Sequence, residues 1–445
     1  MSDYAWPAAM LLGLMAGVFS GYPVAFVLAG VGIVFALLAD VPMLFLSIGV
    51  QRIFSGVLTN WLLIAIPLFV FMGLMLERSG IAERLLRSLA TLFRTLPGGY
   101  AFAVALIGVI MAASTGIIGA SVVLMGMMAL PPMLQNGYDA RISTGLIAAS
   151  GTLGILIPPS VMLIILGDQL SISVGSLFMG AVGPGLLLAG LYVAYLAFVA
   201  ITAPHRMPPM AKSEPIARGE LLLRLAFDLL LPIILILSVL GTIVAGIATP
   251  TESAAIGAAG AMVLALLSRR LNLETLNRAL GDTTRTTAMI IFVMIGATIF
   301  SLVFKKLGGD KMVMDLFSLK GSSPYASLLL IMAVVFLLGF FLEWVEITLV
   351  VVPIVAPVIA GLDFGMPREV TLAWFAIAIA VNLQTSFLTP PFGYALFYLR
   401  GIAPDVPIRT IYAGVLPFVG LQLAGLALII AFPAISVWLP SYLGR

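Results

Sequence analysis

Long runs of apolar residues dominate the hydropathy pattern of this chain. Residues 62–75, 101–113 and 327–342 are three such runs, and none of them contains a charged side chain. Apolar and polar positions do not alternate along them with the period of two that strands show. Because backbone groups in lipid must be hydrogen-bonded within their own segment, the pattern predicts membrane-spanning α-helices.

The polar segment 204–224 divides this pattern near its middle, and the two halves resemble each other. Pro158-Pro159 has a counterpart in Pro390-Pro391, and Gly21-Tyr22-Pro23 has one in Ala248-Thr249-Pro250. The matches occur in the same order along the chain, which indicates an internal duplication. The predicted organisation is repeat 1 over residues 1–203, a cytoplasmic connector over 204–224 and repeat 2 over 225–445.

Each half contains the same predicted series of elements. The series consists of two helices, a third helix, a short amphipathic segment, an interrupted apolar stretch, a helix broken by Pro-Pro and a last helix. The first-half elements are residues 7–20, 23–39, 61–77, 81–95, 100–134, 139–168 and 174–202. Their second-half counterparts are residues 227–247, 251–268, 286–304, 310–319, 324–359, 369–399 and 411–438.

The interrupted stretches are expected to be re-entrant hairpins, which leaves five membrane crossings in each half. An odd number of crossings inverts the second half relative to the first, as in many secondary transporters. Lysine and arginine placement agrees: with the N-terminus outside, 15 of the 22 fall on the inner side. The predicted fold class is an all-α polytopic membrane protein made of two inverted repeats, each with a hairpin and a Pro-Pro-broken helix.

The amino-acid composition narrows the range of protein classes to which this chain could belong. Of the 445 residues, 62% are hydrophobic and only 9% are charged, against about 25% charged in soluble domains. This balance argues against a soluble enzyme, a disordered chain or a nucleic-acid partner, and it makes the lipid bilayer the expected surroundings. With no cysteine and one histidine, His205, no transition-metal site is expected. No Walker sequence is present, so we expect no nucleotide.

The broken helices are the first candidate site. Proline removes a backbone donor and obstructs the preceding carbonyl, so helical bonding fails at both Pro-Pro pairs. Freed carbonyls in lipid are costly unless something binds them, and oxygen ligands suit a cation. Nearby hydroxyls that could contribute belong to Ser150, Thr152, Thr385, Ser386 and Thr389. The alternative is a plain proline kink capped by Ser or Thr.

The tips of the two hairpins are the second candidate. Residues 113–119 and 339–346 interrupt the apolar stretches, and a half-helix that begins there would turn free N–H groups toward an anion. Small-residue helix packing is the alternative for the first tip. At the second tip, Glu343 and Glu346 could be sodium ligands, proton carriers or charges at headgroup level.

Taken together, these residues resemble the large membrane subunit of the TRAP (tripartite ATP-independent periplasmic) transporters. The resemblance extends over essentially the whole chain. Its most specific parts are residues 150–160, 382–393 and 247–253, with Pro131 and Gly137-Tyr138 after the first hairpin. It implies an elevator-type, sodium-coupled importer of a small organic acid in the bacterial inner membrane. It also implies two partners: a periplasmic substrate-binding protein and a separate small four-helix membrane subunit.

The resemblance implies two groups of site residues. Sodium binding is implied at Ser114, Thr115, Ser150, Gly151, Thr152, Glu343, Asn382, Thr385 and Thr389. Our own hypothesis of one sodium ion per repeat gives about two ions per cycle. Substrate binding between the two tips is implied at Ser114, Thr115, Gly116, Gly154, Pro158, Gln384, Ser386 and Pro390.

One departure from the family pattern is visible at the second tip. Many relatives carry an Asp-Pro-Thr type sequence there, whereas this chain has Glu343-Trp344-Val345-Glu346. In this it resembles the mannitol or chloroaromatic-type branch, which argues against a simple C4-dicarboxylate assignment. A self-sufficient sodium- or proton-coupled carboxylate symporter of the divalent-anion type is the alternative function.

Overall fold

The computed structural model describes residues 4–115, 118–210, 218–317 and 323–443, and this part of the chain is helical with no strand. Eight of its helices are long and apolar enough to cross a membrane. In the first half the helices are α1 Ala5–Phe19, α2 Val24–Leu38, α3 Met43–Ile53, α4 Ala65–Arg78, α5 Ile81–Leu92, α6 Gly99–Thr115, α7 Ile118–Gln135, α8 Ala140–Thr152, α9 Val161–Leu170 and α10 Val174–Thr202.

The described part of the second half contains eleven α-helices. Its helices are α11 Arg218–Val244, α12 Pro250–Leu267, α13 Leu273–Lys306, α14 Gly309–Phe317, α15 Pro324–Leu338, α16 Trp344–Glu346, α17 Val352–Ala360, α18 Arg368–Leu388, α19 Tyr394–Ile402, α20 Ile408–Ala431 and α21 Ala434–Tyr442. Short polar residues begin several of them. Thr249 and Glu252 form a reciprocal capping box at the start of α12, and Asn272 caps α13.

Four boundaries predicted from hydropathy were wrong. Helix α13 begins at Leu273, not near residue 286, because its first turns are polar and stabilised by pairs such as Arg278 with Glu274. Residues 43–58, assigned to no element, form α3 and a π-helical turn. The last helix, predicted over 411–438, is split at Pro433. Residues 218–224, placed in the connector, already belong to α11.

Several helices of the first half pack against helices of the second half, in reciprocal pairs. Helix α2 of the first half packs against α13 of the second, while α12 of the second packs against α4 of the first. In the same way α8 packs against α20, and α18 packs against α10. Helices of each half therefore pack directly against helices of the other half.

The start of the connector is tied to both ends of the first hairpin. The Gly98 N–H donates to the Met207 carbonyl at 2.8 Å, and the Asp139 N–H donates to the Arg206 carbonyl at 2.8 Å. The Arg206 side chain also pairs with the Asp139 carboxylate at 2.6 Å. Burial raises the pKa of Asp139, but the hydrogen bonds from Arg206 and from the Arg141 N–H outweigh it and hold the pKa below its usual value.

Candidate functional site

Both predicted breaks lie at the Pro-Pro pairs. After α8 the chain makes one 3₁₀ turn, Leu153–Ile155, and then turns and bends through residues 156–159 to an extended Ser160 before α9 begins. After α18, Thr389 is extended and α19 begins at Tyr394. Both Pro-Pro peptide bonds are cis. The first break is almost completely buried, whereas Pro391 and Phe392 of the second are exposed.

Some of the carbonyls that were expected to be free have hydrogen-bond partners. The Leu153 carbonyl accepts the N–H groups of Leu156 and Ile157, both at 3.0 Å, and the Ile155 carbonyl accepts the Ser160 hydroxyl at 2.7 Å. In the second break the Pro391 carbonyl accepts the Tyr412 hydroxyl at 3.0 Å. These carbonyls therefore have partners within the protein, and the hydroxyls nearby are further candidate ligands.

Ser150, Gly151 and Thr152 are buried between the two arms of the first hairpin. A Cβ atom at Gly108 on α6 would lie 2.4 Å from the Ser150 Cβ, and one at Gly151 would lie 2.5 Å from Val122 on α7. These two glycines allow the backbones to approach closely. The Ser150 hydroxyl is buried and has no hydrogen-bond partner within the described part of the chain.

The corresponding residues of the second half line the other hairpin. The Asn382 side chain donates to the Met332 carbonyl on α15 at 2.8 Å, and a Cβ atom at Gly339 would lie 2.2 Å from the Ser386 hydroxyl. The hydroxyls of Thr385, Ser386 and Thr389 donate to carbonyls three or four residues earlier. Each hydroxyl oxygen therefore retains lone pairs that could face a cation.

A buried chain of polar side chains joins the two sets. The Gln422 amide on α20 donates to the Thr152 hydroxyl at 3.3 Å and to the Tyr192 hydroxyl on α10 at 2.7 Å. The Gln384 amide on α18 donates to the same Tyr192 hydroxyl at 3.4 Å. Thr152 and Gln384, assigned from the sequence to sodium and to substrate, are thus linked across the two halves.

The acidic pair lies at the second hairpin tip, as expected. Glu343 is half-buried in the turn before α16, and Glu346 is buried with one carboxylate oxygen unpartnered among the described residues. The Tyr394 hydroxyl of α19 donates to the Phe341 carbonyl in the same turn at 3.2 Å. The second tip is therefore in contact with the helix that follows the second break.

The first tip is less completely defined. Ser114 and Thr115 end α6, and Gly116 lies outside the described residues. Gly119, just beyond, packs against the ring of Tyr398 on α19. Gly154 and Pro158 are buried in the first break, and Pro390 is half-buried in the second.

Four polar side chains at this site were missed in the sequence. Tyr192 and Gln422 each lie inside a long apolar helix, where a single polar residue gives no local signal. Tyr394 and Tyr398, spaced one helical turn apart directly after Pro390-Pro391, could have been noticed.

The donor set suits sodium better than a transition metal. No group of three or more His, Cys, Asp or Glu side chains gathers within the described ranges. The available groups are hydroxyl and amide oxygens together with the carboxylates of Glu343 and Glu346, and Ser150, Gln422 and Glu346 each leave a buried oxygen unpartnered there. Hard alkali and alkaline-earth cations prefer such oxygen ligands.

Comparison with known proteins gives consistent matches. The C4-dicarboxylate TRAP transporter large permease protein DctM of Pseudomonas aeruginosa is 30% identical over 387 residues, covering 86% of this chain and 87% of that protein. The sialic acid TRAP transporter large permease protein SiaM of Vibrio cholerae is 29% identical over 432 residues, covering 97% of each. Among solved structures, the Alcanivorax borkumensis YdaH transporter has a TM-score of 0.57 at 17% identity, covering 89% of each chain, which shows a shared fold only.

The sequence model of one family covers nearly the whole chain. It is described as the tripartite ATP-independent periplasmic transporter, DctM component, and it matches residues 11–435. Such a protein is a transport component and not an enzyme. The chain therefore belongs to the tripartite ATP-independent periplasmic transporter family, as a large permease of the DctM type.

Proposed function

We propose that this chain imports a small organic acid anion across the bacterial inner membrane, coupled to sodium entry. The observation that carries the proposal is the pair of broken helices, each packed against a hairpin and each lined by buried neutral oxygens. The permeases named for C4-dicarboxylates and for sialic acid both carry carboxylates by name, which supports a carboxylate as cargo here. Which acid is carried is decided largely by a receptor that is a separate chain.

Sodium would be held by one set of residues in each half. Ser150, Gly151 and Thr152 would serve in the first, together with Ser114 and Thr115 at the hairpin tip. Asn382, Thr385, Thr389 and Glu343 would serve in the second. The unpartnered Ser150 hydroxyl supports the first set, because a buried hydroxyl without a partner costs about 1–3 kcal/mol unless something binds it.

The substrate would lie between the two tips. Gln384, Ser386 and Pro390 would contribute from the second break, and Gly154 and Pro158 from the first, with Ser114, Thr115 and Gly116 at the first tip. The exposed rim at Pro391 and Phe392 supports entry from the side of the second break.

The proposed movement is of the elevator type. Helices α2, α4, α12 and α13 would form a fixed scaffold, and the hairpins with their broken helices would form the body that moves. The exchange of packing partners between halves supports two repeats related by a two-fold axis, because such copies exchange contacts in this way. The odd number of crossings predicted in each half is what would invert the second repeat.

The proposed energy source is sufficient without ATP. One ion per repeat, hence about two sodium ions carrying one monovalent anion, moves one net charge, worth about 2.3 kcal/mol per 100 mV. A tenfold sodium gradient adds about 1.4 kcal/mol for each ion. The sum of about 5 kcal/mol sustains an accumulation of several thousand-fold.

Reconstitution tests the proposal. The chain, with its small four-helix subunit, is placed in proteoliposomes, and its periplasmic binding protein is added outside with radiolabelled cargo. We expect uptake that requires both a sodium gradient and the binding protein. Undiminished uptake driven by a proton gradient without sodium would reject sodium coupling and favour Glu343 or Glu346 as proton carriers. Full uptake without the binding protein would favour the self-sufficient symporter instead.

A further inference from the structure

A cavity of about 370 Å³ lies apart from the two Pro-Pro breaks, none of whose residues line it, on the face that the charge bias predicts to be periplasmic. Its walls come from residues 52–60, from α13, from α9 and from the segment that begins at Leu349. Polar groups that line it belong to Arg52, Asn60, Asp168, Thr298, Ser301 and Lys305.

The charges in this cavity are unbalanced. Asp168 is its one lining carboxylate, and its two oxygens accept hydrogen bonds from the side-chain amides of Asn60, at 2.6 Å, and Gln169, at 3.0 Å. Neither Arg52 nor Lys305 forms an ion pair within the described part of the chain. Two cationic groups thus face a concave polar space without a carboxylate partner of their own.

We propose that this cavity is a vestibule that binds the carboxylate group of a small organic anion before it reaches the broken helices. Arg52 and Lys305 attract and hold the anion, and the hydroxyl of Ser301 is placed to donate a hydrogen bond to it. The Thr298 hydroxyl donates to the Met294 carbonyl at 2.8 Å and serves only as part of the wall. Because clefts lined by one sign of charge concentrate ions of the other sign, the vestibule raises the local concentration of cargo. The identity of the anion as cargo rests on the proposed function; the anion site itself does not.

The walls of the vestibule come from both the proposed scaffold and the proposed moving body, so its shape depends on the position of that body. One wall, α13, belongs to the proposed scaffold, and residues 52–60 are assigned to the scaffold with it because α3 and the turn after it pack against α13. The other two walls belong to the proposed moving body. Movement of the body would take Asp168 and Leu349 away from Arg52 and Lys305, so the cavity is enclosed in only one state.

Charge-selective labelling of one introduced thiol tests the vestibule. The chain has no cysteine, so Ser301→Cys provides a unique thiol in the cavity. Its reaction rates with an anionic (sulfonatoethyl) and a cationic (trimethylammonioethyl) methanethiosulfonate are each divided by the rate of 2-mercaptoethanol. We expect the anionic reagent to be favoured about tenfold, and Arg52→Gln/Lys305→Gln to abolish the preference. Lys306→Gln is the matched control, because Lys306 lies over the Phe45 ring and does not line the cavity.

Occupancy is tested with succinate as the probe anion and 1,4-butanediol as its uncharged analogue. Succinate should slow labelling by neutral methyl methanethiosulfonate in Ser301→Cys and in its Lys306→Gln variant, but not in the double variant. Butanediol should slow none, and equal unprotected rates in all three variants verify that they are folded. A preference that ignores charge, or an absence of protection by succinate, would overturn the vestibule. Loss of sodium-dependent uptake with labelling as expected would overturn only the transport proposal.

Discussion

At the residue scale, the most informative side chain is Ser150, because its hydroxyl is buried and unpartnered among the described residues. Ser143, two turns earlier on α8, is equally buried, but its hydroxyl donates to the Asp139 carbonyl at 3.1 Å. Substituting each serine therefore distinguishes a hydroxyl that could bind an ion from one that only stabilises the same helix.

We expect Ser150→Ala to leave the thermal unfolding midpoint in detergent unchanged or slightly raised, because it removes a buried hydroxyl without a partner. The sodium concentration for half-maximal uptake should rise about tenfold, which corresponds to about 1.4 kcal/mol. Ser143→Ala should do the reverse, losing about 1 kcal/mol of stability with unchanged sodium dependence. Identical behaviour of the two variants would contradict a sodium role for Ser150.

Tyr192 is the second residue that matters, since its hydroxyl joins Gln422 to Gln384. Tyr192→Phe leaves both amides without this partner, so we expect a loss of about 1–3 kcal/mol in the free energy of unfolding. Tyr195→Phe is the control, because both tyrosine rings pack edge-on against Phe418, at 5.4 and 5.2 Å. Chemical unfolding in detergent measures the difference, and equal effects of both substitutions would show that the hydroxyl network contributes nothing.

At the element scale, the close approach of α6 to α8 depends on Gly108. We expect Gly108→Ala to destabilise the protein by about 1–3 kcal/mol, because the added methyl group collides with Ser150 and neither helix can move freely. Gly190→Ala on α10 meets nothing within 4 Å and should stabilise it by about 0.5–1 kcal/mol. Thermal unfolding of both variants checks the opposite signs, and a stabilising Gly108→Ala would show that the first hairpin is not packed in this way.

The ion pair between Arg206 of the connector and Asp139, at the end of the first hairpin, predicts a stability that depends on pH. A depressed pKa in the folded state means that Asp139 contributes stability above its ordinary pKa of 3.8 and loses it as the pH falls through the lower folded value. Asp139→Asn should therefore cost about 1 kcal/mol near neutrality, and its difference from the unmodified protein should vanish in acid. Asp405→Asn, at an exposed position, is the control, and a difference that persists in acid would exclude the charge as its cause.

At the scale of the whole molecule, the proposed elevator has to break the contact between Asn60 and Asp168, which links the proposed scaffold to α9. Oxidation of an Asn60→Cys/Asp168→Cys pair should therefore stop uptake, and a reductant should restore it. The pair Arg78→Cys/Asp282→Cys replaces an ion pair between α4 and α13, both in the proposed scaffold, and its oxidation should leave uptake unchanged. A verified disulfide between positions 60 and 168 with full uptake would contradict the movement.

Features that depend on neighbouring residues could be predicted from the sequence, whereas features that depend on contacts between distant helices could not. The breaks at Pro158-Pro159 and Pro390-Pro391 and the buried hydroxyls of Ser150 and Thr385 were predictable, because proline acts on its own neighbourhood. The start of α13 at Leu273 was not, because a polar helical extension outside the apolar run has no hydropathy signal. Tyr192 and Gln422 were missed because their importance depends on which helices face each other.

The sequence by itself determined that this is a helical membrane protein whose helices break at the two Pro-Pro pairs. These properties follow from composition, apolar length and proline, which act locally. Only the tertiary structure decided that Thr152 and Gln384 share a network through Tyr192, that the Ser150 hydroxyl has no partner in the described chain, and that Arg52 and Lys305 face one cavity. The physical reason is that these arrangements join residues far apart in the chain, and packing between the halves selects them.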